Sequence, residues 1–160
     1  MKIFIITGEK SGDLLASKVI NQLKKNYKNL ELKGCGGEHL AKENIKNIFA
    51  QKEINLMGFF EVIPSLFKIL KLINFTVAEI IKFKPDIVIT VDAPDFNFRV
   101  TKKLKKLNFK TKYIHVVAPT VWAYREYRAK KIAKIYDLLL VLFPFEPPYF
   151  EKYNLKTKFI

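Results

Sequence analysis

Two acidic loops, the first of them also glycine-containing, carry the side chains best suited to chemistry. The first, Gly8-Glu9-Lys10-Ser11-Gly12-Asp13, directly follows the apolar run from Lys2 to Thr7. Two glycines beside a helix start leave main-chain N–H groups free to face an anion or a sugar, while Glu9 and Asp13 add acceptors for hydroxyls. The competing reading is a tight turn in which Ser11 caps the helix and Asp13 complements its dipole. The second loop, Asp92-Ala93-Pro94-Asp95-Phe96-Asn97, sets two carboxylates three residues apart after the run Ile87-Val88-Ile89-Thr90-Val91. A carboxylate at such a depth is costly unless solvated, paired or useful, and partial desolvation makes it a better proton acceptor. Alternatively, Asp95 caps a helix running through Val100, Leu104 and Leu107, with Pro94 shaping the turn.

Two further loops are distinctive. Ala118-Pro119-Thr120-Val121-Trp122-Ala123-Tyr124-Arg125 offers aromatic walls for a sugar or base and a guanidinium for a phosphate. Its plainer reading is an aromatic packed under a loop, and His115, just upstream, reads as a core histidine. In Phe143-Pro144-Phe145-Glu146, the glutamate reads as a helix cap.

The elements that position these loops follow from hydrophobic periodicity. Apolar strands at residues 2–7, 86–91, 112–117 and 138–143 alternate with helical segments, and two more short strands are expected within residues 30–54. Continuous apolar strands separated by helices imply a mostly parallel sheet covered on both faces, a Rossmann-like doubly wound α/β domain. In such a sheet, ligands collect beyond the carboxyl ends of the strands, where all four loops lie. A Walker loop is excluded because Gly12 is followed by Asp13, and a dinucleotide fingerprint because His39 stands where the third glycine would follow Gly34-Cys35-Gly36.

With 160 residues, 49% of them hydrophobic, the chain is long enough for one domain with a real core. Lys and Arg number 29 against 15 Asp and Glu, a net charge of +14, which favours anionic partners. Arginine, which reads base edges, occurs only at 99, 125 and 128, and this argues against sequence-specific nucleic-acid recognition. The single cysteine, Cys35, excludes an intramolecular disulfide and a multi-thiolate zinc site and suits a reducing, cytoplasmic setting. No apolar run reaches the length of a spanning helix. Residues 57–72 nevertheless hold more grease than one helix face needs. Met57, Phe59, Phe60, Ile63, Phe67 and Leu70, with Lys68 and Lys71, form a candidate membrane-contacting patch; a buried helix or a dimer interface is the alternative.

Taken in order, Gly8-Glu9-x-Ser11-Gly12-Asp13, Met57-Gly58-x-x-Glu61-Val62, Asp92-Ala93-Pro94-Asp95-Phe96-Asn97, Pro119-x-Val121-Trp122-Ala123 and Pro144-Phe145-Glu146 resemble the amino-terminal half of the lipid-A-disaccharide synthase family. Lys10, Ala118, Thr120 and Tyr124 depart from the family pattern. The resemblance implies a two-domain, B-type inverting glycosyltransferase of Gram-negative lipid A (lipopolysaccharide) biosynthesis, peripheral on the cytoplasmic face of the inner membrane. It joins UDP-2,3-diacylglucosamine to 2,3-diacylglucosamine 1-phosphate through a β-1,6 link and releases UDP, with no cofactor and no metal. It also implies Asp95 as base, Asp92 as its orienting partner, and Gly8, Glu9, Ser11, Gly12, Asp13, Glu61, Asn97, Trp122 and Arg125 as substrate-binding residues. The resemblance implies that residues 1–160 form the acceptor-side domain, incomplete and inactive without the carboxy-terminal UDP-donor domain, and it leaves a homo-oligomer open. The alternative is a non-catalytic basic Rossmann-like module that binds RNA or an anionic phosphate ligand.

Overall fold

Ile3, Phe4, Ile5 and Ile6 are consecutive and wholly excluded from solvent. Neighbouring side chains of a strand point to opposite faces, so this run is stable only in a sheet covered on both sides. The computed structural model describes residues 1–55, 63–121 and 127–160; of residues 55 and 63–66 it describes the backbone. In chain order the elements are β1 (Lys2–Thr7), α1 (Lys10–Asn26), β2 (Glu31–Cys35), α2 (Glu38–Lys42), β3 (Lys46–Asn47), α3 (Lys52–Asn55) and α4 (Ile63–Phe83), then β4 (Ile87–Val91), α5 (Pro94–Lys106), β5 (Lys112–Val116), α6 (Tyr127–Ala133), β6 (Leu138–Val141), α7 (Pro147–Glu151) and β7 (Thr157–Phe159).

The strands form one sheet in the order β3-β2-β1-β4-β5-β6-β7, with every pairing parallel. The expected Rossmann-like, doubly wound domain is therefore present, with β2 and β3 as the two short strands. The sixth strand ends before residues 142 and 143, because Leu142 and Phe143 turn out into solvent. Ile3, Ile5, Ile89 and Val91 pack with Ala16 and Ile20 of α1 and Leu40 of α2 on one face. Phe4, Ile6, Val88 and Leu139 pack on the other face with Ile73, Val77 and Ile80 of α4, Val100 and Leu104 of α5 and Ile132 of α6. Each such Ile, Leu, Val or Phe side chain contributes about 1.5–3 kcal/mol by leaving water.

α4 divides the expected surplus of grease along its length, between buried residues of its later part and exposed ones of its earlier part. Ile73, Val77, Ile80 and Phe83 are core, whereas Phe67 is 66% exposed and Leu70 43% exposed, with Lys68 and Lys71 also in solvent. Ile63 begins the helix. Met57, Phe59, Phe60 and Glu61 lie outside the described residues. Among the described residues, no helix is long and apolar enough to cross a membrane.

Candidate functional site

The chain runs from β1 outward to β3 on one side and from β4 outward to β7 on the other, so the order reverses between β1 and β4. At that switch point the loops after two adjacent strands part and leave a crevice. Thr7 and Val91 are register partners, so residues 8–13 and 92–97 leave the sheet side by side. Their closeness explains Gly8: a Cβ there would lie 2.3 Å from Ala93 Cβ. Gly12 is looser, its hypothetical Cβ 3.5 Å from Val91 Cγ1 and 3.6 Å from Asp92 Cβ.

Asp92 and Ala93 both take left-handed backbone conformations, with φ of 53° and 42°. Such a pair without glycine costs roughly 1–3 kcal/mol per residue and is held by its surroundings. Here the Asp92 N–H donates to Val116 O at 3.0 Å, the Ala93 N–H donates to Asp92 Oδ1 at 2.9 Å, and Asn97 Nδ2 donates to Asp92 O at 2.7 Å. The turn presents Asp92, half-buried, at the strand end beside Gly12. Asn97, expected to bind substrate, is instead fully buried and serves as the clamp of this turn.

Asp95 departs from expectation in two respects. Its side chain is 87% exposed, so the desolvation foreseen for a base is not found there, and among the described residues its ion-pair partner is Arg128 Nη2, 3.6 Å from Oδ1. Nor does it cap α5, whose N-cap is Ala93 without a side-chain bond. The backbone reaches the helix through the left-handed turn, which carries the Asp95 carboxylate past the capping position.

The first loop also differs from its expected form. α1 begins at Lys10, its N-cap is Glu9 without a side-chain bond, and Ser11 is exposed inside the first turn and therefore not the cap. Asp13, only 1% exposed, is withdrawn from solvent. Its carboxylate accepts N–H bonds from Gly37 at 2.7 Å, His39 at 2.8 Å and Leu40 at 3.3 Å, and so fixes α2 against α1. Asp13 is thus a positioning residue, and it accounts for Gly37, where a Cβ would lie 2.8 Å from its Oδ2. Sequence reasoning missed Gln51, whose amide donates to Thr7 Oγ1 at 2.7 Å and to Glu9 O at 2.9 Å, tying the loop to the segment before α3. No local pattern marks a glutamine for such a bond. Glu9 is exposed at the crevice.

The remaining candidates separate. Trp122 and Arg125 lie outside the described residues. Glu146 is buried, but its carboxylate accepts the Phe143 N–H at 3.0 Å and does not cap α7. Cys35 is buried, and desolvation pushes its thiol up to about 12, which excludes it as a nucleophile. Among the described residues no group of three or more His, Cys, Asp or Glu is placed to hold a metal ion.

His115 is a core residue, as its plainer reading held. Its Nδ1 lies 2.7 Å from Thr90 Oγ1, and its ring stacks on Tyr136 and meets Phe98 edge-on, both at 5.0 Å. Burial pushes its pKa down to about 3. The folded state therefore binds fewer protons than the unfolded chain between about pH 6.5 and 3, and stability falls on acidification through that window. Urea unfolding followed from pH 7 to pH 4 is expected to show a slope of up to about 1.4 kcal/mol per pH unit from this group. His115→Gln should flatten that slope whatever it costs at neutral pH.

Comparison with known proteins agrees with this architecture. The family model described as lipid-A-disaccharide synthetase matches residues 3–160. A protein named lipid-A-disaccharide synthase from Rickettsia bellii is 51% identical over 160 residues, and one of the same name from Rickettsia prowazekii is 50% identical. Each match covers 99% of this chain but 42% of the relative, so the chain spans about two fifths of their length. Among solved structures, UDP-GlcNAc 2-epimerase from Neisseria meningitidis bound to UDP-GlcNAc superposes with a TM-score of 0.65 at 14% identity, covering 99% of this chain and 46% of that one. Acinetobacter baumannii MurG does so with a TM-score of 0.56 at 12% identity, covering 89% and 41%. These two share the fold. The family match over nearly the whole chain, on a sheet that brings residues 8–13 beside Asp92 at its switch point, shows that the chain belongs to the lipid-A-disaccharide synthetase family.

Proposed function

We propose that this chain forms the acceptor side of an inverting glycosyltransferase that joins UDP-2,3-diacylglucosamine to 2,3-diacylglucosamine 1-phosphate and releases UDP. The observation that carries the reading is the left-handed Asp92-Ala93 turn at the switch point, packed against Gly8, in a chain of this family. Inverting transfer needs one base to take the proton of the acceptor 6-hydroxyl as that oxygen attacks the anomeric carbon, and donors to receive the leaving diphosphate.

Asp92 supports the role of base better than Asp95, reversing the roles expected from the sequence. Asp92 is half-buried at the strand end, and one of its oxygens already accepts the Ala93 N–H, which orients the carboxylate. Asp95 stands in solvent beside a guanidinium and suits binding of sugar hydroxyls. Glu9 and the main chain at Gly8 and Ser11 flank the same crevice. Groups that receive UDP belong to the part of the relatives' length beyond this chain.

The test joins residues 1–160 to the remainder of the Rickettsia bellii relative and follows UDP release from both acylated substrates. Turnover by the joined protein and none by residues 1–160 alone is the expected outcome. Full turnover by residues 1–160 alone would place the donor site within them.

Membrane contact at α4 forms part of this reading, since both substrates carry acyl chains. Phe67 and Leu70 exposed beside Lys68 and Lys71 support an interfacial face on anionic lipid. Phe67→Ser with Leu70→Ser is expected to reduce sedimentation with anionic vesicles severalfold and to leave the far-UV circular dichroism unchanged, since neither side chain is core. Unchanged sedimentation would remove α4 as the contact.

A further inference from the structure

A groove of about 490 Å³ lies between α5 and α6, and its charge is strongly one-sided. Arg99, Lys102, Arg128, Lys131 and Lys134 line it, against a single carboxylate, Asp95. Arg128 is the most telling. Its side chain is only 32% exposed, yet among the described residues its one anionic partner is Asp95, at a loose 3.6 Å. A guanidinium offers five donors in a fixed fork, and one this far withdrawn from water with a single distant partner is poised to receive a second anion. Arg99, Lys102 and Lys134 form no ion pair among the described residues, and Lys131 sits over the Tyr127 ring at 4.7 Å. Elsewhere on the fold, Lys24 pairs with Glu43, Lys33 with Glu79 and Lys105 with Asp137.

The groove is not merely charged. Phe98 and Tyr127 bring aromatic rings to its wall, and Ile132 and Ile135 bring aliphatic surface, so an occupant has an uncharged body as well as an anionic group. Asp95 lies at the end formed by Pro94, where α5 leaves the switch-point crevice. A carboxylate 87% exposed at that end accepts hydrogen bonds from alcohol hydroxyls, which a bare phosphate or a fatty acid does not carry. Anion, polyhydroxylated body and a volume within the usual range for small ligands together describe a sugar phosphate.

We propose that the groove between α5 and α6 is a binding site for a sugar phosphate, with Arg99, Lys102 and Arg128 on the phosphate and Asp95 on the sugar hydroxyls. This rests on the glycosyltransfer reading, to which it adds a location for the acceptor's phosphate. The phosphate end is thereby held along α5, and the sugar extends toward Asp92.

The test titrates residues 1–160 with glucosamine 1-phosphate, glucosamine and inorganic phosphate, and follows amide chemical shifts by NMR. Glucosamine 1-phosphate is expected to bind at least about tenfold more tightly than either part alone, since charged and polar contacts are made together. Arg99→Glu with Lys102→Glu, both exposed and outside the core, should weaken it by about tenfold or more. Lys110→Glu with Lys112→Glu makes the same change of charge beyond the groove and should leave it within about twofold. Equal weakening by both pairs would overturn the site in favour of general attraction to a basic surface. Preferred binding of a random-sequence RNA with a steep salt dependence would overturn it in favour of a nucleic-acid face. UDP release by the joined protein separates this proposal from the reading beneath it. Groove-dependent binding without UDP release leaves the groove and removes glycosyltransfer. UDP release with an unaltered KM for the acceptor in the Arg99, Lys102 variant removes the groove and leaves glycosyltransfer.

Discussion

Replacing Asp92 by asparagine in the joined protein is expected to lower the rate of UDP release by roughly 10² to 10⁴ while leaving the fold intact. The substitution is close to isosteric, and asparagine is among the few residues that enter the left-handed region readily, so the φ of 53° is retained. The amide oxygen still accepts the Ala93 N–H. What is lost is the second carboxylate oxygen as a proton acceptor. Asp95→Asn should act mainly on the KM of the acceptor and cost less than about tenfold in kcat, because an amide also accepts hydroxyl hydrogen bonds. The measurement is steady-state UDP release with urea midpoints for each variant. Loss of kcat in Asp95→Asn with near-normal turnover in Asp92→Asn would restore the roles expected from the sequence. Full activity in both would make the pair a structural turn.

Gly34→Ala is expected to be the most damaging single substitution for stability. Gly34 lies inside β2, paired with Ile5 of β1, at φ +150°, a backbone conformation that L side chains rarely adopt. A Cβ there would lie 1.8 Å from Ile5 O, against main chain that cannot rotate away. Strain and overpacking together should cost about 3–5 kcal/mol, a large share of the 5–15 kcal/mol that holds a typical domain. Gly12→Ala is the comparison, since its Cβ would meet ordinary contacts at 3.5 Å or more inside a helix, where alanine is favoured. Urea unfolding should show Gly34→Ala largely unfolded in native buffer and Gly12→Ala near the parent. Equal midpoints would mean that β2 does not approach β1 as closely as described.

The fold was legible because its signals are local. Ile3-Phe4-Ile5-Ile6 and Ile87-Val88-Ile89 are apolar on both faces of a strand, and only a sheet covered on both sides buries such runs. Helical periodicity between them then dictates crossovers and a parallel order, and the loops at the carboxyl ends become the place for a site. The five ordered motifs likewise lie within short stretches, so the family could be read without any contact between them.

Contacts between distant residues could not be read this way. Asp13 reads as a dipole partner or ligand from its own neighbours, but its carboxylate is taken up by amides 24 to 27 residues away. Asp92 and Asp95 are equivalent in sequence, three residues apart beside a strand. Two left-handed residues and the buried Asn97 clamp turn one carboxylate into the crevice wall and the other into solvent. The same holds for the basic groove, whose cations come from α5, from α6 and from Lys134 just after it, and pool their charge only once the sheet sets α5 beside α6. Sequence alone determined which residues could carry chemistry and which strand ends they follow, because periodicity and turn propensity act over a few residues. The tertiary structure decided which of them face a ligand, because burial and charge are properties of neighbours in space.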